Sequence, residues 1–472
     1  MITLTRRKLH EFRVVARKAL SLARGVGPPV SLAADSDGLR IRVCQPDSAA
    51  ELHLPGEFAA ERICLPHDFL DTVGGKNDAA VTLERREQQI SVQWRDGAVP
   101  QLVQFEEPTL QDDFPVAPAV MVENPPELLQ ALKDACTVTD PVTVRYALSC
   151  LQLDAAQGRV AASDGCRILV QRGFTFPWEG ALLLPARTVF GSPLLPRNEP
   201  VSIGRHEDRV SLRVGVWTFH FSLNTDGRFP RVDDCIPAET LATTTVDVTE
   251  RDAKFLLDNI RRLPTSDEVY RPITLDLNGE VVVRARADSQ QPATELALVN
   301  STRSGESIRV STNREYLAQA LALGFRQLRF TTPEYPVCCR DAKRVYVWAP
   351  LGKDGALPPA ENAHRIESTE GSAGEVLPVP QPSRSKVPTM SHSANNGNGK
   401  AVERKADASP TAADPGDRAD SPIQQAEALR HSLKDALSKA NELIRTLKQQ
   451  KKKSRVVEST LASLRQLQNV DL

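Results

Sequence analysis

The chain has 472 residues, too many for a single hydrophobic core, so several domains are expected. Apolar residues make up 40% and charged residues 25%, the balance of globular domains rather than of a membrane protein or a wholly disordered chain. The net charge of −1 excludes a role resting on bulk basicity, so any contact with nucleic acid must come from where the charges sit.

The opening MITLTRRKLHEF lacks the apolar core of a signal peptide, and no later segment approaches the roughly 18 apolar residues of a membrane span. The chain reads as cytoplasmic, with no membrane partner. Residues 5–24 predict a helix with Leu9, Phe12, Ala16, Ala19 and Ala23 on an apolar stripe. Arg6, Arg13, Arg17 and Arg24 fall on a second stripe, with His10 beside it. That stripe is either a solvated helix face or a surface for a phosphate backbone, which requires charge and no base contact. Alternating strands follow at 39–45, then a short helix LPHDFLDTV (65–73) and a hairpin VTLERREQQISVQW (81–94).

The same order recurs twice. Residues 124–136 predict a helix for which Pro125-Pro126 suits the start, followed by strands over 151–164, a short helix LPARTVF (184–190) and a hairpin at 201–214. In the third copy Thr249 is the expected N-cap of a helix over 249–262, and Asn278-Gly279 separates two alternating runs in ITLDLNGEVVVRARA. A helix at 311–321 and strands over 328–350 close it. The fold class is therefore α+β, one module of helix, strands, helix, strands used three times, over 1–120, 121–245 and 246–352.

Beyond Trp348 no aromatic residue occurs, and 353–420 is rich in Pro, Ser, Ala, Gly and Asn, a composition expected of a disordered linker. Over 421–468, Ala426, Leu429, Leu433, Ala436, Ala440, Leu443 and Leu447 alternate in steps of three and four. That spacing predicts an amphipathic helix, either a coiled coil that joins further copies or a single helix that docks on a partner.

Nothing points to catalysis. The sequence has no Gly-rich phosphate loop, no G-x-S-x-G and no H-E-x-x-H, so no enzyme activity, metal or cofactor is expected. None of the eight cysteines forms a C-x-x-C pair, and adjacent Cys338 and Cys339 on a strand would point to opposite faces. All are expected to be reduced and structural.

One stretch remains unexplained by this inventory: LNTDGRFPRVDDCIP (223–237), a strand running into Asp226-Gly227 and then a corner with Phe229, Pro230 and Arg231. Together with VRYALSCLQL (144–153), AASDGCRILV (161–170) and LLLPARTVF (182–190), in that order and spacing, it resembles the middle domain of the bacterial sliding clamp, the beta subunit of DNA polymerase III. Residues 246–351, with IRVSTNREYL (308–317) and the closing YVWAP (346–350), resemble that family's third domain, and the first 120 residues resemble it in outline.

The resemblance implies a homodimeric ring closed head to tail, with helices lining a hole for double-stranded DNA and sheets outside. It implies a polymerase and a clamp loader as partners, and processivity as the function. The residues then placed toward DNA are Arg6, Arg13, Arg17, Arg24, Lys133, Arg145, Tyr146, Arg187, Arg251 and Lys254. The corner would wall a pocket for partner peptides, with Leu148, Gly165, Cys166, Arg167, Ile168, Pro230, Cys235, Val347 and Ala349 at the matching positions. Leu148, Ile168 and Val347 would form its floor and Arg167 its polar rim. The chain departs from the family in carrying Cys166 where a histidine is usual and in running on for over a hundred residues beyond Pro350. A second reading, a clamp-derived scaffold that assembles through its C-terminal helix, therefore stands beside the first. The end, RQLQNVDL (465–472), echoes the Gln-plus-apolar peptides that clamps accept, so the tail is also a candidate occupant of its own pocket.

Overall fold

The computed structural model describes residues 1–369, apart from 88, 110–113, 142–145, 268 and 353–354. Most of the expected linker, the helix expected over 421–468 and the 465–472 end lie outside the described residues. The first repeat runs β1 (Ile2–Thr5), α1 (Arg6–Ala19), β2 (Val30–Ala34), β3 (Gly38–Gln45), β4 (Ser48–Pro55), β5 (Glu61–Leu65), α2 (Phe69–Val73), β6 (Ala80–Arg86), β7 (Gln89–Asp96) and β8 (Val99–Glu106). The second runs β9 (Met121–Asn124), α3 (Glu127–Cys136), β10 (Cys150–Asp154), β11 (Arg159–Ser163), β12 (Arg167–Arg172), β13 (Ala181–Pro185), β14 (Val201–His206), β15 (Arg209–Val214) and β16 (Trp217–Ser222). The third runs β17 (Thr244–Asp247), α4 (Glu250–Asn259), β18 (Pro272–Asp276), β19 (Val282–Ala285), β20 (Thr294–Ala297), β21 (Thr302–Gly305), β22 (Arg309–Asn313), α5 (Arg314–Ala322), β23 (Gln327–Phe330), β24 (Val337–Arg340) and β25 (Arg344–Trp348). One more strand, β26 (His364–Glu367), follows.

Local signals account for the main helices. In α1 the Thr5 hydroxyl accepts from the Lys8 N–H, and Leu9, Phe12, Val15, Ala16 and Ala19 form the buried stripe. Thr249 caps α4 in the same way, accepting from the Asp252 N–H, as its position in the sequence predicts.

Four sequence expectations change. Each repeat opens with a strand, not a helix, because β1, β9 and β17 are four residues long, too short for alternation to register. Helix α1 stops at Ala19, where the Leu20 N–H closes the last turn on Ala16 and Ser21 takes a positive φ of 55°, so Arg24 is not on it. The expected helix at 184–190 is one 3-10 turn, Thr188–Gly191, since Leu184 and Pro185 are taken into β13 by pairing with β10. The folded chain also runs past the expected limit at 352, into β26.

The strands sort into two recurring half-sheets. One has the order β5-β2-β3-β4 in the first repeat, β13-β10-β11-β12 in the second and β22-β18-β19-β20 in the third. The other has the order β1-β6-β7-β8, then β9-β14-β15-β16, then β17-β23-β24-β25. Half-sheets of different kinds join across the repeats, β4 pairing antiparallel with β16 and β12 with β25. Each join turns two open edges into one continuous sheet, of eight strands in one case and nine in the other.

The β4–β16 join holds a buried histidine. His220, opposite Ala49 in the register and 2% exposed, meets the Ser211 hydroxyl at 2.7 Å and the edge of the Phe114 ring. Burial, then the charges of Arg209 and Arg42, lower its pKa to about 4, below the unfolded value of 6.5. As pH falls through that window the unfolded chain takes up the proton first, so stability present above pH 6.5 is lost toward pH 4. We expect denaturant titrations to show about 3 kcal/mol more loss of stability between pH 7 and pH 4 in the native chain than in His220→Asn.

Candidate functional site

The outer face of the β12–β25 join carries a small apolar cluster separate from the main core. Strand alternation sends Ile168, Val170, Val345 and Val347 to this face, where Ala161, Val232 and Cys338 join them. Their neighbours Leu169, Tyr346 and Trp348 enter the main core on the helix side. Cys338 and Cys339 divide in the same way, one to each cluster, as their adjacency on a strand predicts.

The corner of 223–237 is the lid of this cluster. The Asn224 side-chain oxygen accepts from the Gly227 N–H at 2.8 Å, and the chain then folds into a 3-10 turn at Val232–Cys235. Val232 is buried, and Phe229 and Ile236 pack on the cluster from above. Arg159, itself 4% exposed, holds the turn with two parallel bonds to Asp233 of 2.6 and 2.9 Å. That bidentate contact keeps the Asp233 carboxyl below its ordinary range. Beyond the turn, Glu239 bridges to Arg329 and Arg340, and Arg340 also donates to the Pro237 carbonyl.

The pocket residues expected from sequence therefore divide. Ile168 and Val347 are buried under this lid, Leu148 is buried outside the cluster, Pro230 is half-buried, and Gly165, Cys166, Cys235 and Ala349 are exposed. The Ala349 N–H donates to the Cys166 carbonyl at 2.9 Å, which brings the exposed residues of β12 and β25 together. Gly165 has a φ of +88°, and a Cβ there would meet only Leu148 at 3.7 Å, so glycine is required by conformation rather than by space.

Arg167 is not on the rim. It lies opposite Trp348 in the register, and so points to the helix side. There it bonds Asp164 at 2.8 Å and Gln319 of α5, with its guanidinium 4.9 Å from the Tyr316 ring centre. Sequence reasoning took the motif as a unit and overlooked its alternation. The same parity would have found Val170 and Val345 as floor residues. Nothing local in the sequence marks Tyr316 and Gln319 as the partners of Arg167.

The arginine stripe is also narrower than its sequence spacing implies. Arg6 turns inward, donating to the Val73 carbonyl and pairing with Asp96 at 2.9 Å. Arg13 pairs with Asp71 of α2 at 2.6 Å and contacts His10. Arg17 and Arg24 are exposed and line a shallow cleft with Arg13, Leu22 and Asp71. Arg187 joins two repeats, bonding Asp47 at 2.6 Å and the Ser21 hydroxyl while 10% exposed. Lys133 of α3 lines a groove toward α4 and α5 together with Arg261 and Arg344. Lys254 pairs with Asp258, Arg251 and Tyr146 are half-buried, and Arg145 lies outside the described residues. Among the described residues no group of three His, Cys, Asp or Glu stands close enough to hold a metal ion, and no helix is long and apolar enough to cross a membrane.

No family model and no curated protein matches the sequence. Solved structures do match. A DNA polymerase sliding clamp from Pseudomonas aeruginosa, with ligand, aligns at a TM-score of 0.62 and 20% identity, covering 75% of this chain and 99% of the other. The beta subunit of DNA polymerase from Streptococcus pyogenes aligns at 0.62 and 14% identity, covering 74% and 99%. The sliding clamp from Bacillus subtilis aligns at 0.61 and 19% identity, covering 74% and 98%. The chain thus has the sliding-clamp fold.

Cysteine chemistry reports on the lid. Cys235 and Cys166 are exposed, but desolvation raises the Cys166 thiol and Asp164 raises it further. Burial raises the thiols of Cys338 and Cys339 as well. Alkylation at pH 8 followed by mass spectrometry should label Cys235 first and Cys166 more slowly. The Cys166 rate should climb as pH passes 9, and Cys338 and Cys339 should react only after unfolding.

Proposed function

We propose that the chain is a DNA sliding clamp, a non-catalytic ring that encircles duplex DNA and tethers a polymerase and other partners to it. The observation that carries this reading is the join between unlike half-sheets, made twice within one chain. A third join of the same kind, between two copies, closes a ring. Tethering in this way raises the local concentration of a partner at the DNA without any new base contact. Two of the solved structures that share the fold are named DNA polymerase sliding clamps and one the beta subunit of a DNA polymerase, which supports the assignment.

Phosphate contacts then fall chiefly to Arg17, Arg24, Lys133 and Arg262, with Arg145 and Tyr146 following α3 in the sequence. Partner peptides dock on the outer cluster, with Phe229 and Ile236 moving off the floor formed by Ile168 and Val347, and Leu148, expected in that floor, at the pocket's edge. Cys166, Cys235 and Ala349 form the open side. The second reading, a scaffold that no longer tracks DNA, is favoured by one observation: Arg6, Arg13, Arg187 and Lys254 all spend their charge on partners within the chain.

Fluorescence anisotropy with a labelled peptide of Gln and apolar residues tests the tether. Truncating the floor with Ile168→Ala and Val347→Ala should weaken binding by about tenfold or more, while Arg17→Ala leaves it unchanged. Equal affinity in the floor variant would remove the outer cluster as the docking site.

A further inference from the structure

The half-sheet pattern defines the surfaces that a third join needs. Strands β4 and β12 are the last of their meanders, and the equivalent strand in the third repeat is β20. Their partners β16 and β25 are also last strands, and the equivalent in the first repeat is β8. Among the described residues no strand pairs with the outer edge of β8, where Val99 is 58% and Leu102 60% exposed. Strand β20 is not open. Beyond Trp348 the chain touches this half-sheet, the Leu351 N–H bonding the Ser311 carbonyl of β22 and the Leu357 N–H bonding the Thr274 hydroxyl of β18. It then lays β26 along the free edge of β20, Thr294 to Ala297 facing His364 to Glu367.

We propose that residues 364–368 are a detachable cap on the ring-closing edge, and that β8 of a second copy must displace them from β20 to close the ring. This rests on the reading of the chain as a ring-forming clamp. The cap has the marks of a substitute partner. It pairs parallel, whereas both internal joins are antiparallel, and parallel ladders are slightly weaker per residue. All four residues of β26 are exposed, Ile366 by 44%, so little apolar area holds it down.

The hold comes instead from the backbone, from an exposed ion pair of Arg365 with Glu280 at 2.7 Å, and from an anchor at its end. The His364 N–H bonds the Ala293 carbonyl at 2.8 Å, and the Ser368 N–H bonds that of Ala297 at 3.1 Å. Ser368 is 2% exposed, and its hydroxyl and carbonyl accept from Val299 N–H and Asn300 Nδ2. Asn300 is in turn fixed by the fully buried Asp252 at the start of α4, at 2.9 Å. Ring closure is therefore set by competition between an intramolecular strand and an intermolecular one for the same N–H and C=O groups.

Sedimentation velocity on the full chain over a concentration series tests this. Ile366→Pro removes the N–H midway between the two that bond β20, and Ser368→Ala weakens the anchor without a proline by removing the hydroxyl that accepts from Val299. A ring of two copies makes two such joins, so if the cap leaves β20 open about a tenth of the time in each copy, both variants should associate more tightly than the native chain, Ile366→Pro by about a hundredfold. Adding Leu102→Asp in β8 should abolish the gain. Equal association in native and variant chains, still broken by Leu102→Asp, overturns the cap and leaves the ring standing. No association in any of them, or a gain that survives Leu102→Asp, overturns both the cap and the ring.

Discussion

The constraint on which this structure depends is the unpaired edge of a β-sheet. A half-sheet of four strands presents a row of backbone donors and acceptors that must find partners or remain in water. This chain resolves the problem by repetition. Each repeat carries two half-sheets of unlike kind, and the last strand of one meets the last strand of the next repeat's other kind. The helices complete the core of that arrangement, α1 packing its apolar stripe against β4 and α3 packing against β10 and β11.

The same joins create the places where partners can act. At β12–β25 the outer faces of two repeats merge into one apolar cluster, and the following corner is pinned over it by Arg159 and Asp233. Tying the turn through a nearly buried guanidinium fixes its position, while Phe229 and Ile236 are only partly buried over the cluster. Fixed turn and partly buried cover together suit a surface that binds short apolar peptides.

Much of the fold was legible in the sequence because its strands alternate and its caps are local. The hairpins at 80–96 and 201–214, the Thr249 cap and the opposed faces of Cys338 and Cys339 all follow from spacing alone. What escaped was set by partners distant in sequence. Helical spacing put Arg6, Arg13 and Arg24 on one stripe, but Asp96 and Asp71, brought in by other elements, take the first two, and the helix ends before the third. Strand β26 escaped for a different reason. HRIE has no apolar alternation, and an exposed edge strand held by its backbone leaves no pattern in its side chains.

The central claim is a ring that is linked to DNA topologically rather than by affinity. Retention of the purified chain on nicked circular DNA, compared before and after linearisation at moderate salt, tests it most directly. A closed ring survives salt that strips ordinary phosphate contacts, and slides off once an end is available. The account predicts retention on the circle and release on cutting. Binding that is equally salt-sensitive on both forms would contradict it.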